Sequence, residues 1–276
     1  MIDFKNKIYV GSDHRKSLYD AKIDKTSKAV VIFIHGYKGF KDWGAWNLMA
    51  DAFFQEGFGF VKFNMTHNGG TIDEPIDFPD LKAFARNRYS YELFDVATII
   101  DETQRLIEKE LELDIPIYLL GHSRGGGIAI LQAVKDSRIK KVVSLAGISD
   151  IESRFPMGEQ MKEWKEKGVY YVTNSRTHQE MPHYFSWYED FLEHRNELDI
   201  ELAARELKIP FLQIHGDMDQ SVSISEGLAL AAYTDTRIAI IKGAEHTFGT
   251  KHPWDSDQLP EDLKKAINKA IEFFNK

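Results

Sequence analysis

The sequence predicts an α/β fold, with a mostly parallel central sheet, helices on both faces and an inserted cap. Three observations lead there. Largely apolar runs of strand length recur at Ala29–Ile34, Gly59–Phe63, Ile115–Leu120, Val142–Ala146 and Ile209–Ile214, with the composition of strands buried on both faces. Helix-periodic segments separate most of them, and such alternation is the grammar of a doubly wound parallel sheet. One stretch, Gly147–Leu207, breaks the alternation with a high density of aromatics, among them Phe155, Trp164, Tyr170, Tyr184, Trp187 and Phe191. The core is therefore expected over residues 1–146 and 208–276, with residues 147–207 as an inserted cap or lid.

A chain of 276 residues with 43% hydrophobic and 12% aromatic content suits one such core plus an insertion. Its 35 basic and 43 acidic residues give a formal charge of −8, which offers no case for nucleic-acid binding. No stretch approaches the roughly 20 continuous apolar residues of a membrane span. Cysteine is absent, which excludes disulfides, thiolate catalysis and cysteine-ligated metals. The first residues, Met1 to Lys7, carry no apolar segment or cleavage site, so no secretion signal is expected and the cytoplasm is the expected compartment. No cofactor and no metal are expected, and the oligomeric state stays open.

In chain order, short strands are expected around Lys7–Val10 and Leu18–Ile23, joined by the turn-like Gly11-Ser12-Asp13. The buried run Ala29–Ile34 ends in His35-Gly36-Tyr37-Lys38-Gly39, and a helix follows from about Trp43 to Gln55. After the strand Gly59–Phe63 comes a long polar loop, Asn64 to about Arg88, of a length that is usually functional or mobile. From Tyr89 to Leu111, Leu93, Val96, Ile99, Ile100, Thr103, Leu106 and Ile107 fall at helical spacing. The cap should hold a strand at Val169–Thr173 with helices on either side. A helix around Ser225–Tyr233, a strand at Arg237–Ile241 and a closing amphipathic helix from Pro260 to Phe274 complete the chain.

The chemistry centres on Ile115–Gly127. An apolar strand is cut off by Gly121-His122-Ser123-Arg124-Gly125 and continues into the helical Ile128–Val134. That is a G-x-S-x-G nucleophile elbow in its expected strand-to-helix setting. The glycines flanking Ser123 remove the β-carbons that would collide in so tight a turn. A serine hydroxyl is a weak nucleophile at neutral pH and needs a base, which in turn needs an orienting carboxylate. With the elbow, these partners arrive in the order Ser, Asp or Glu, His, each after a strand. Asp219 follows the strand ending at Ile214, and His246 follows the strand ending at Ile241. Asp217 is the reserve carboxylate, although its place beside Gly216 suits a turn-former. Oxyanion donors are expected from the backbone N–H groups of Arg124 and Tyr37, with Gly36 permitting the close approach.

With HGYKG, GHSRGG, HGDMD and GAEHTF in this order, nearly the whole chain resembles the α/β-hydrolase superfamily. HGYKGFKDW and VKFNMTHNGGT are similar to bacterial serine hydrolases described as dienelactone-hydrolase-like or S9/S33-like, and the cap is similar in position to that of cinnamoyl (feruloyl) esterases. The resemblance implies Ser123, Asp219 and His246 as the triad and Tyr37 and Arg124 as oxyanion donors. Two departures stand out: dienelactone hydrolases proper use a cysteine, and S9 peptidases carry a propeller domain for which there is no room.

The expected function is hydrolysis of a small or medium acyl or aryl ester through an acyl-enzyme, in an apolar, aromatic pocket between cap and elbow. An amidase or peptidase of the same mechanism, or a non-catalytic ligand-binding protein on the same fold, are the alternatives. His178 and His183 lack a third ligand at a recognisable spacing and are not assigned a metal. Asn68-Gly69-Gly70 lacks the rest of a dinucleotide fingerprint and is expected to shape the pocket rim.

Overall fold

The computed structural model describes residues 1–276. Its first strand, β1 (Ile2–Val10), pairs antiparallel with β2 (Lys16–Ile23), both longer than expected, and β2 pairs antiparallel with β4 (Gly59–Phe63). From β4 onward the sheet is parallel, through β3 (Val30–Ile34), β5 (Ile117–His122), β6 (Ile139–Leu145), β9 (Phe211–Gly216) and β10 (Ala239–Ile241). The order is β1-β2-β4-β3-β5-β6-β9-β10. From β3 the chain moves outward to β4 and then returns to β5 on the other side, so the crevice outside the ends of β3 and β5 is a topological switch point.

Both faces of the sheet are covered, as its side-chain alternation requires. Val30, Ile32 and Ile34 enter one core with α3 (Tyr89–Arg105), α4 (Arg124–Lys135) and residues of the segment after β6. Ala29, Val31 and Phe33 enter the other, with α1 (Trp46–Gln55) and α9 (Glu261–Asn275). No helix is long and apolar enough to cross a membrane.

Several elements depart from expectation for local reasons. The polar loop after β4 contains a short helix, α2 (Leu81–Ala85), capped by Asp80, whose Oδ1 accepts the Ala83 N–H at 2.9 Å. The helix expected to reach Leu111 stops at Arg105 and ends in a π turn, Leu106–Glu110. Between β6 and β9 lie α5 (Gly158–Lys167), β7 (Val169–Thr173), β8 (Glu180–Tyr184), α6 (Ser186–Glu193) and α7 (Ile200–Glu206). β7 and β8 form a separate antiparallel pair. β8 escaped sequence reading because Pro182 interrupts its pattern, yet an edge of a two-strand ribbon tolerates a missing N–H.

A buried ion quartet ties the loop after β3 to the sheet. Lys41 Nζ lies 2.9 Å from Asp20 on β2 and 2.5 Å from Asp42, while Lys62 Nζ on β4 lies 2.6 Å from Asp20 and also meets Asp42. The Lys41 N–H donates to Asn64 Oδ1 at 2.6 Å, fixing the same loop to the end of β4. The Asp20→Asn variant is expected to lose about 3 kcal/mol, because two buried ammonium groups then share one carboxylate. Urea unfolding measures it, and a loss below about 1 kcal/mol would show that the quartet is not coupled.

Candidate functional site

Ser123 stands between the end of β5 and the start of α4 at φ 57°, ψ −120°, a conformation that non-glycine residues adopt only when their surroundings impose it. Three backbone hydrogen bonds impose it: the Ser123 N–H donates to Leu145 O at 2.8 Å, and Ser123 O accepts from Gly126 at 2.9 Å and Ile148 at 3.3 Å. The flanking glycines are obligatory for a steric reason. A β-carbon on Gly121 would lie 2.1 Å from Gly125 O, and one on Gly125 would lie 2.2 Å from Ile34 O. Gly36 lets the neighbouring loop come in as closely, since its β-carbon would sit 2.9 Å from that of Ser123.

The loops after β9 and β10 bring two more side chains to this point. His246 Nε2 lies 3.0 Å from Ser123 Oγ, and His246 Nδ1 lies 2.8 Å from Asp219 Oδ2. An ionised carboxylate only accepts, so Nδ1 carries the proton toward Asp219 and Nε2 is left to accept from the serine hydroxyl. Asp219 Oδ1 accepts the N–H groups of Ser221 at 2.8 Å and Val222 at 2.9 Å. Asp217, the reserve, is exposed and accepts the Gly243 N–H at 2.5 Å, a staple between two loops with no bond to His246.

Two supporting histidines were not singled out from sequence. His215, on β9, is fully buried; its Nε2 donates to Val222 O at 2.9 Å and lies 3.3 Å from Asp219 Oδ2. His122, immediately before Ser123, donates from Nε2 to the His246 carbonyl at 3.0 Å and so holds that loop against the elbow. The only sequence signal for either was its place at a strand end inside a quoted motif, GHSRGG for His122 and HGDMD for His215. The backbone N–H groups of Tyr37 and Arg124 donate to no backbone carbonyl, which leaves both open beside Ser123.

A family profile described as "Serine aminopeptidase, S33" matches residues 25–199. The chain belongs to this family of α/β hydrolases. No curated protein matches the sequence. Among solved structures, Est1E from Butyrivibrio proteoclasticus is similar at a TM-score of 0.68, with 16% identity over 99% of each chain. A dienelactone hydrolase from Anabaena variabilis gives 0.63 and 18% identity over 99% of this chain and 98% of its own. The α/β hydrolase domain-containing protein 10 from mouse gives 0.65 and 15% over 98% of each. At these identities the likeness is one of fold.

Two cavities of this hydrolase meet at Ser123 and share Tyr37, Lys38, Ser123 and His246 in their walls. The larger, about 440 Å³, is bounded by Tyr170 and Val172 of β7 and by Trp187 of α6; the smaller, about 200 Å³, by Trp43, Trp46 and the turn Asn174–Arg176. The expectation of an apolar aromatic pocket needs correction. Aromatic rings are present, but so are Lys38, Arg124, Arg154 and Arg176. These residues come from four separate places in the chain, and nothing in their local sequence tells which way they face. Of the aromatics between β6 and β9, Tyr170 and Trp187 line the larger cavity, whereas Phe155, Trp164, Tyr188 and Phe191 pack on one another.

The Asn68-Gly69-Gly70 turn lines neither cavity. Asn68 Nδ2 instead donates to Gly39 O at 3.2 Å, bracing the Tyr37 loop from behind. His183 is buried on β8, with Nε2 2.7 Å from the Tyr37 hydroxyl. Burial, and then the Arg124 charge, lower its pKa to about 3, so it stays neutral. Burial likewise lowers His35 to about 4 and, with the adjacent His246, His122 to about 3.

Burial alone would raise the Asp219 pKa, but hydrogen bonds from His215 and His246 outweigh it and hold the carboxyl well below the usual carboxylate range. A carboxyl depressed in the folded state contributes stability above its unfolded pKa of about 3.9 and loses that contribution as the pH falls. The urea midpoint of the wild type is therefore expected to fall more steeply between about pH 5 and pH 2 than that of Asp219→Asn. Equal slopes would mean that Asp219 is not depressed.

Proposed function

We propose that the protein hydrolyses a carboxylic ester of small or medium acyl or aryl type through an acyl-enzyme on Ser123. The observation that carries the reading is the unbroken line Ser123–His246–Asp219, 3.0 and 2.8 Å between successive groups, ending at a cavity beside two open backbone N–H groups. His246 takes the proton of Ser123 as Oγ attacks the ester carbonyl, and Asp219 holds the tautomer and stabilises the imidazolium. The oxyanion accepts from the Tyr37 and Arg124 N–H groups. His246 then protonates the departing alkoxide, and water repeats the sequence on the acyl-enzyme to release the acid.

Residues 147–207 serve as the cap in this reading, because their β7–β8 ribbon and α6 supply walls of both cavities. The family description gives a peptide bond as the second reading. Against an aminopeptidase stands the cationic character of the cavity walls, which carry Lys38, Arg124, Arg154 and Arg176 and no carboxylate to pair with the charge of a free α-amine. In a separate structure of Est1E, similar in fold at a TM-score of 0.69 and 17% identity, ferulic acid is bound.

With an activated aryl acetate, the wild type is expected to show a burst and labelling of Ser123 by a fluorophosphonate, and Ser123→Ala and His246→Ala to lose both. Asp219→Asn should lower kcat by about 10³–10⁴, as loss of the orienting carboxylate does elsewhere. Asp217→Asn should stay within about threefold of wild type, since surface changes away from the reacting groups cost little. A wild type with neither burst nor label would sink the enzyme reading, and a dead Asp217→Asn beside an active Asp219→Asn would sink the carboxylate assignment.

A further inference from the structure

The two cavities at Ser123 invert the charge of the molecule around them. The chain carries a formal charge of −8, yet no carboxylate lines either cavity, and four cationic side chains do. Three of the four are held from behind. Arg124 pairs with Glu92 at 2.9 Å and lies over the rings of Tyr37, Tyr89 and Trp187; Arg154 pairs with Glu226; Arg176 pairs with Asp77 at 2.5 Å. Lys38 is different. It is half-buried, its ammonium lies 5.2 Å from the centre of the Tyr37 ring, and no carboxylate bears on it. Burial, followed by the Arg124 charge, lowers its pKa, the signature of a cation held without a counter-charge.

The backbone adds an independent observation. Lys38 sits at φ 54°, where glycine or asparagine fits at lower cost than a long side chain. The strained position projects a flexible ammonium into the wall that both cavities share, one residue from the Tyr37 N–H. A half-buried, unpaired ammonium is costly to keep, and a ligand of opposite charge removes that cost.

We propose that Lys38 is a specificity-determining residue that binds a carboxylate on the substrate, so that the natural substrate is a hemiester or an ester with an acidic alcohol rather than a neutral ester. The inference rests on the ester-hydrolase reading above. One free ammonium matches the single charge of a carboxylate, whereas a phosphate dianion would leave a charge uncovered. The three arginines, already paired, set a positive potential that draws the anion in and orients it.

Two matched substrate pairs test it: para-nitrophenyl hemiglutarate against para-nitrophenyl valerate, with the charge on the acyl side, and para-acetoxybenzoate against phenyl acetate, with the charge on the alcohol side. In at least one pair the wild type should favour the anion, and Lys38→Met should lower the anionic-to-neutral ratio of kcat/KM about tenfold, the worth of one charge-assisted hydrogen bond. Lys38→Arg should retain most of the preference. A ratio that Lys38→Met leaves unmoved in both pairs overturns the proposal, because a merely structural role would lower both members alike. Calorimetry with monomethyl glutarate on Ser123→Ala, with and without Lys38→Met, separates this failure from that of the hydrolase reading. Binding that depends on Lys38 without turnover of any ester upholds the anion site and rejects the esterase; turnover with an unmoved ratio does the reverse; neither binding nor turnover rejects both.

Discussion

The structure depends on holding one serine where a serine does not rest. Ser123 keeps φ at 57° only because the N–H of the elbow is tied to β6, its carbonyl is tied to α4 and to the chain after β6, and the glycines at 121 and 125 let backbones pass in contact. Each of those ties belongs to a different element. β3, β5, β6 and α4 must therefore be in register before the elbow can exist, and the central strands are correspondingly the most thoroughly buried part of the fold. The parallel order around β3 and β5 also brings the loop of Gly36 and Tyr37 beside the elbow, within van der Waals reach.

Electrostatics then sorts the ionisable groups into layers. Around the site lie buried, neutral histidines, His35, His122 and His183, whose burial keeps them uncharged and lets them act as fixed hydrogen-bonding blocks. Next comes Asp219, the buried carboxylate that orients His246, satisfied on both oxygens by His215, His246 and two backbone N–H groups. The cavity walls carry the cations, and the carboxylates that pair with three of them stand outside. A negative charge entering the cavities meets favourable potential, and in the proposed mechanism the same potential favours the negative tetrahedral intermediate over the neutral ester.

How much of this was legible in the sequence follows from how local each signal is. Buried parallel strands announce themselves as apolar runs, so β3, β5, β6 and β9 were readable to within a few residues. The elbow was readable because its steric demand falls on adjacent residues. Asp219 and His246 were nominated by chain order and strand-end position, and the folded chain brings both to Ser123, with Asp217 turned away to Gly243. What stayed hidden depends on side-chain direction or on distant partners. Pro182 concealed β8; His122 and His215 support the site through bonds that no spacing encodes. Lys38 lay inside a quoted motif, but its lack of a counter-charge is a property of the assembled walls.

The region expected to choose the substrate is also mechanically joined to the region expected to activate it. His183 of β8 meets the Tyr37 hydroxyl at 2.7 Å, and its ring is stacked between Tyr170 at 4.9 Å and Trp187 at 4.6 Å, both of which line the larger cavity. Its carbonyl accepts the Trp164 indole N–H at 2.9 Å, which anchors it to the aromatic packing between β6 and β9. Tyr37 is the residue whose backbone N–H faces the scissile carbonyl in the proposed mechanism, and a hydrogen-bonded, stacked side chain restricts where that backbone can go. A change in Tyr170 or Trp187 that reshapes the cavity must therefore also shift the support of Tyr37. Substrate fit and carbonyl polarisation share one set of contacts, so in the proposed mechanism selection among substrates acts on the barrier as well as on binding.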